Sequence, residues 1–95
     1  MHLITKKTLK IFWQKNLDSR TGLERWLRII EKNDFKNFNQ LRETFPSADM
    51  VGKLIVFNIG GNKYRLITAI HFNRQKIYIR NVLTHKEYNK GEWKE

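Results

Sequence analysis

Apolar positions in the first third of the chain recur at helical spacing, and those in the second half alternate as in strands. An apolar triplet, "HLI" at residues 2–4, reads as a short first strand. Leu9, Phe12, Trp13 and Asn16 or Leu17 then trace one stripe of a helix through "KKTLKIFWQKN", with Thr5 as its expected N-cap. "DSRTG" breaks this helix. A second begins near Arg20 or Thr21, where Leu23, Trp26, Leu27 and Ile30 recur at i, i+3, i+4 and i+7. Its other face carries Glu24, Arg25, Arg28, Glu31 and Lys32, the composition of a solvated surface. A third, short helix is expected over 38–44, stopping before Pro46, because a proline disfavours helical backbone in the residue before it.

From Val51 onward the runs "KLIVFNI", "NKYRLITAIHF" and "KIYIRNVL" are rich in the branched and aromatic residues that suit a pleated surface. Helices followed by a strand meander indicate an α+β fold, with two N-terminal helices packed on one face of a mainly antiparallel sheet. One domain, residues 1–95, accounts for the whole pattern.

Gly60-Gly61 between two β runs predicts a two-residue hairpin turn, which needs positive φ at both positions. Closing it pairs Ile59 with Asn62 and Val56 with Arg65. Setting Phe72 opposite Ile77 in the next hairpin pairs Ala69 with Arg80 and Arg65 with Thr84. In this register one face gathers Ile55, Phe57, Tyr64, Leu66, Ile70, Phe72, Ile77, Ile79 and Leu83, and should lie under the helices. The other gathers Val56, Asn58, Lys63, Arg65, Ile67, Ala69, Tyr78, Arg80, Val82 and Thr84.

Charge changes the meaning of that second face. Nineteen Lys and Arg against nine Asp and Glu give a net charge of +10. Residues 1–47 hold ten basic and five acidic side chains, and residues 48–95 hold nine and four, so the excess belongs to the folded body. Such a surface attracts a phosphate backbone or an acidic protein, with nucleic acid ahead. The chain has no cysteine, which excludes disulfide frameworks and thiolate zinc sites and suits a reducing compartment. The N-terminus has no apolar signal-type run, and no stretch is long enough to span a bilayer, so a soluble cytoplasmic protein without membrane partners is expected.

The expected open face collects Asn58, Lys63, Arg65 and Arg80, with no acid in the strands to neutralise them. Where the last strand ends, "THKEY" adds His85, Lys86, Glu87 and Tyr88. Convergence of cations with a titratable His and Tyr marks a candidate site rather than an ordinary solvated face. His2 and His71 lack such company, and their spacing with His85 suggests no metal site and calls for no cofactor. Trp93 suits either stacking on a base or packing of the C-terminal turn.

"VFNIGGNKYRLITAI" followed by "IYIRNVLTHKEYNKG", with "MHLITKKTLK" and "FPSADMVGK" earlier, resembles the HigB family of toxins from bacterial type II toxin–antitoxin modules, within the RelE/ParE superfamily. The ordered combination of GGN, YRL, IR and THKEY carries the resemblance. It implies a RelE-like fold and a ribosome-dependent mRNA endonuclease, silenced by a HigA-like helix-turn-helix antitoxin. Transferred by position, the family's active surface uses Lys63, Arg65, Arg80, His85 and Tyr88. Asn89 departs from the pattern, which leads one to expect Asp after the tyrosine.

Metal-free RNA cleavage turns the ribose 2′-hydroxyl on the adjacent phosphate and needs a base, an acid and cations for the developing charge. His85 and Tyr88 are the candidate proton-transfer pair, with either one as base. Arg65 and Arg80 are candidate phosphate clamps, and Lys63, Asn58 and Lys86 candidate RNA contacts. Two other classes remain open: a non-catalytic RNA-binding module, and a ParE-like gyrase inhibitor acting through protein contacts alone.

Overall fold

The computed structural model describes residues 1–94. Strand β1 (His2–Ile4) leads into helix α1 (Lys6–Lys15), and a single 3-10 turn (Leu17–Ser19) joins it to α2 (Arg20–Lys32). Helix α3 (Phe38–Thr44) precedes β2 (Asp49–Val51), β3 (Leu54–Ile59), β4 (Tyr64–His71) and β5 (Lys76–Thr84), and a short α4 (His85–Lys90) follows directly. The strands form one sheet in the order β1-β5-β4-β3-β2. Only the β1–β5 pair is parallel, which makes this a mainly antiparallel α+β fold.

The helical stripes land where their periodicity predicts. Leu9 and Trp13 of α1, and Leu23, Trp26 and Ile30 of α2, are buried against Ile55, Phe57, Ile59, Tyr64, Leu66 and Ile77. Leu41 of α3 joins the same core. Phe57 sits under both Trp26 and Phe45, with edge-on ring contacts at 5.4 and 5.1 Å. Such contacts suit the quadrupoles of aromatic rings and fix their orientation. At Gly22 the α2 backbone comes so close to the end of β3 that a Cβ would lie 2.9 Å from Ile59 Cγ2 and 3.1 Å from the Gly60 nitrogen.

Several expectations are corrected. Thr5 makes no side-chain cap to α1 and has a left-handed φ of 72°. Strand β2, too short to show a period, was not expected and pairs with the first half of β3. In the first hairpin both glycines do have positive φ, 62° and 69°, but Ile59 pairs with Tyr64 rather than Asn62. The turn thus spans residues 60–63. A slip of two keeps side-chain parity, so the faces of β3 and β4 stand as expected.

The second hairpin differs more. Ala69 pairs with Tyr78, not Arg80, and the register shifts between Ile67 and Thr68, which face Asn81 and Ile79. Arg80 is therefore the extra residue of a bulge. Beyond it parity inverts: Val82 faces Leu66 and joins the helix-side core, while Leu83 faces Arg65 on the other side. That other face is not simply open and polar. Leu54, Val56 and Ile67 form a second small core, covered by Leu83, Tyr88 and Trp93 from β5, α4 and the turn after it.

Candidate active site

Helix α4 begins where β5 stops because Thr84 ends the strand as a capping residue. Its hydroxyl accepts the Glu87 backbone N–H at 3.2 Å, and the Glu87 carboxylate accepts the Thr84 N–H at 3.0 Å. This reciprocal box satisfies two donors that a helix start leaves unpaired. The His85 N–H donates to the Lys63 carbonyl at 3.0 Å, tying the first turn of α4 to the turn before β4. Three residues apart on a helix, His85 and Tyr88 face the same side.

What they face is Arg65. Its side chain comes from β4 and is only 8% exposed. Nη1 donates to the carbonyl oxygens of Asn62 at 3.0 Å and Tyr64 at 3.3 Å, and Nη2 lies 3.2 Å from His85 Nδ1. A guanidinium has no acceptor, so His85 Nδ1 accepts and the neutral ring carries its proton on Nε2. The same guanidinium lies over the Tyr88 ring, 5.2 Å from its centre. Trp93 stacks on Tyr88 at 4.9 Å and 14°, and its Nε1 donates to the Tyr88 carbonyl at 2.8 Å. Tyr88 is thus held between a cation and an indole. Trp93 takes the packing role of the two open to it.

The other candidates are placed elsewhere. Lys63 belongs to the hairpin turn, and its ammonium pairs with Asp18 at 2.8 Å. The Tyr64 hydroxyl donates to the second oxygen of the same carboxylate at 2.6 Å. Those two hydrogen bonds, Lys63's first, hold the Asp18 carboxyl below its ordinary value. Its bond to Asp18 in turn raises Lys63, and Tyr64 is raised chiefly by the same carboxylate and then by burial. Strands β3, β4 and β5 contain no acid, as expected, but the turn between α1 and α2 supplies one from 45 residues upstream. No local pattern signals that approach.

Arg80, displaced by the bulge, lines a shallow hollow with Thr8, Ile11, Phe12 and Lys15 of α1 and with Asn81 and Val82. Asn58 is half-buried and pairs across the strands with Arg65. Lys86 and Asn89 are exposed on α4, and Glu87 is occupied by the cap. His71 is exposed, with its ring edge-on to Tyr78 at 5.4 Å. The structure therefore unites three of the expected site residues, Arg65, His85 and Tyr88. Among the described residues, no three His, Asp or Glu side chains are grouped to hold a metal ion, and no helix is long and apolar enough to cross a membrane.

Residues 19–91 match the family described as HigB toxin, the RelE-like toxic component of a toxin–antitoxin system. This chain belongs to the HigB toxin family. It is 44% identical over 92 residues to the mRNA interferase toxin HigB of Escherichia coli strain K12, covering 94% of this chain and 88% of that one. It is 29% identical over 93 residues to an mRNA interferase HigB of Escherichia coli O6:H1 strain CFT073, covering 95% and 90%. The HigB family match contains Arg65, Arg80, His85 and Tyr88. Asp18 and Trp93, which the structure adds as partners of Lys63 and Tyr88, lie just outside it.

Proposed function

We propose that this HigB-family chain is the toxin of a type II module and cleaves mRNA on the ribosome without a metal, acting in the cytoplasm and restrained by a HigA-like helix-turn-helix antitoxin. The observation that carries the reading is the junction of Arg65 with both His85 and Tyr88. One fixed cation beside two proton-carrying side chains is the set that internal attack by a 2′-hydroxyl needs. Preorganisation favours it further: two backbone carbonyls hold the guanidinium before any substrate arrives.

In this mechanism Arg65 meets the negative charge that grows on the phosphate, and the buried setting strengthens that attraction. His85 works through Nε2, since Nδ1 is engaged. His85 and Tyr88 divide the two proton transfers between them, one taking the 2′-hydroxyl proton and the other protonating the leaving 5′-oxygen. Lys86, exposed beside His85, and Arg80, further along β5, serve the flanking RNA. Lys63 and Asp18 shape the turn that accepts the first turn of α4, and Asn58 lies on the strand beside Arg65.

The test is to map RNA ends after induced expression. Products with 2′,3′-cyclic phosphate and 5′-hydroxyl are expected; 5′-phosphate ends or chelator-sensitive cleavage overturn the mechanism. Intact mRNA with a DNA-damage response would instead support gyrase inhibition. An RNA with sulfur at the scissile 5′ position needs no acid at its leaving group. It should restore whichever of His85→Gln and Tyr88→Phe has lost the acid, and not the other.

A further inference from the structure

We propose that a groove beside the second half of β3 docks an extended, largely apolar segment of the antitoxin carrying an acidic residue. The proposal rests on the reading of this chain as the toxin of a pair. Strand β2 pairs with β3 only as far as Val56, so residues 57–59 have no strand neighbour on that side among the described residues. Backbone N–H and C=O groups alternate sides along a strand, so alternate residues of this stretch present both toward the vacant edge. A free edge is a template for one more strand, and strand addition is a common mode of peptide capture.

The place beside it is a hollow of about 490 Å³ rather than a flat rim. Its walls are Trp26 and Ile29 of α2, Phe45 and Pro46 of the segment leading to β2, and Ile59 of β3. Trp26 is 2% exposed, and its indole N–H is buried without an acceptor among the described residues. The nitrogen is closed off from the hollow, so an occupant rests on the apolar walls rather than on this N–H.

Charge selects the occupant. Arg25 is exposed on the lip, whereas the one carboxylate there, Asp18, is already paired with Lys63. On a body of net charge +10, this lip favours a segment with an acidic side chain, and an approach that salt weakens. The groove also ends close to the candidate active site, because Asn58 on its wall is the cross-strand partner of Arg65. A segment seated there meets the strand next to the catalytic arginine without having to cover it.

The experiment uses the full chain and its antitoxin, purified together and apart. Amide hydrogen exchange at residues 57–59 should slow at least about tenfold in the complex. Ile29→Ser, which strips an apolar wall of the hollow, should weaken binding by roughly tenfold. Arg25→Glu, on the exposed lip, should weaken it by a few-fold at low salt, and thermal melts check that both variants fold. A complex that leaves those amides unprotected, or that forms equally well with both variants, overturns the groove. So does protection arising from self-association of the toxin alone. Absence of any complex at low salt overturns the toxin–antitoxin reading itself, and the groove with it.

Discussion

Arg65 Nη2 lies 3.2 Å from Nδ1 of His85, twenty residues further along the chain. Since the arginine also holds two backbone carbonyls, it is a structural member and a charge at once. Arg65→Ala should therefore destabilise the fold by about 1–3 kcal/mol, the cost of leaving buried acceptors unpaired, as well as abolish activity. Arg65→Lys keeps the charge but loses the planar fork. It should cost about 10²–10³ in cleavage rate, on the scale of one lost charge-stabilising donor. Melting curves read beside cleavage rates separate the two effects. An Arg65→Ala protein with unchanged melting would contradict the burial argument.

His85→Gln and Tyr88→Phe should each slow cleavage by ~10²–10⁴ while RNA binding stays nearly intact. Each variant removes a proton-carrying group and little volume. Filter binding with a non-cleavable RNA and single-turnover rates would check the pair. Equal losses in binding and rate would point to a recognition role instead.

Thr84→Ala should destabilise by about 0.5–2 kcal/mol, since it deletes half of the capping box. The predicted signature is local. Amides of residues 85–90 should exchange faster than those of β4, and activity should fall because α4 carries both His85 and Tyr88.

The Asp18 cluster gives a pH signature at both ends. The depressed carboxyl of Asp18 contributes stability that is present above the ordinary value near 3.8 and lost as pH falls through its lower folded value. The raised Lys63 and Tyr64 contribute stability that is present below their ordinary values, 10.5 and 10.0, and lost as pH rises through the folded ones. Asp18→Asn should flatten both limbs of a melting-temperature profile. A variant that keeps the wild-type slopes below pH 4 and above pH 10 would show the cluster to be inert.

Local pattern determined much of this protein. The stripes of α1 and α2 follow from spacing, because burial of one face dictates which positions are apolar. The end of α3 follows from Pro46, and the β meander and α+β class from branched and aromatic runs. Parity of β3 and β4 survived an error of two in the hairpin register, since strand faces repeat every second residue. Strand register, and then the resemblance, brought Arg65, His85 and Tyr88 together, and the structure sets them side by side.

Tertiary structure decided the rest. A single extra residue at Arg80 inverts the faces of Val82 and Leu83, and nothing in "IYIRNVLT" distinguishes a bulge from regular pleat. Lys63 turns to Asp18 across 45 residues, so it leaves the expected cationic cluster for a partner no strand contains. Arg65 reads from sequence as a solvated cation and is buried in fact, because α4 folds back over its face with Tyr88 and Trp93. Periodicity records which face of an element is apolar. It does not record which distant element will close over the polar one, and that closure makes the site.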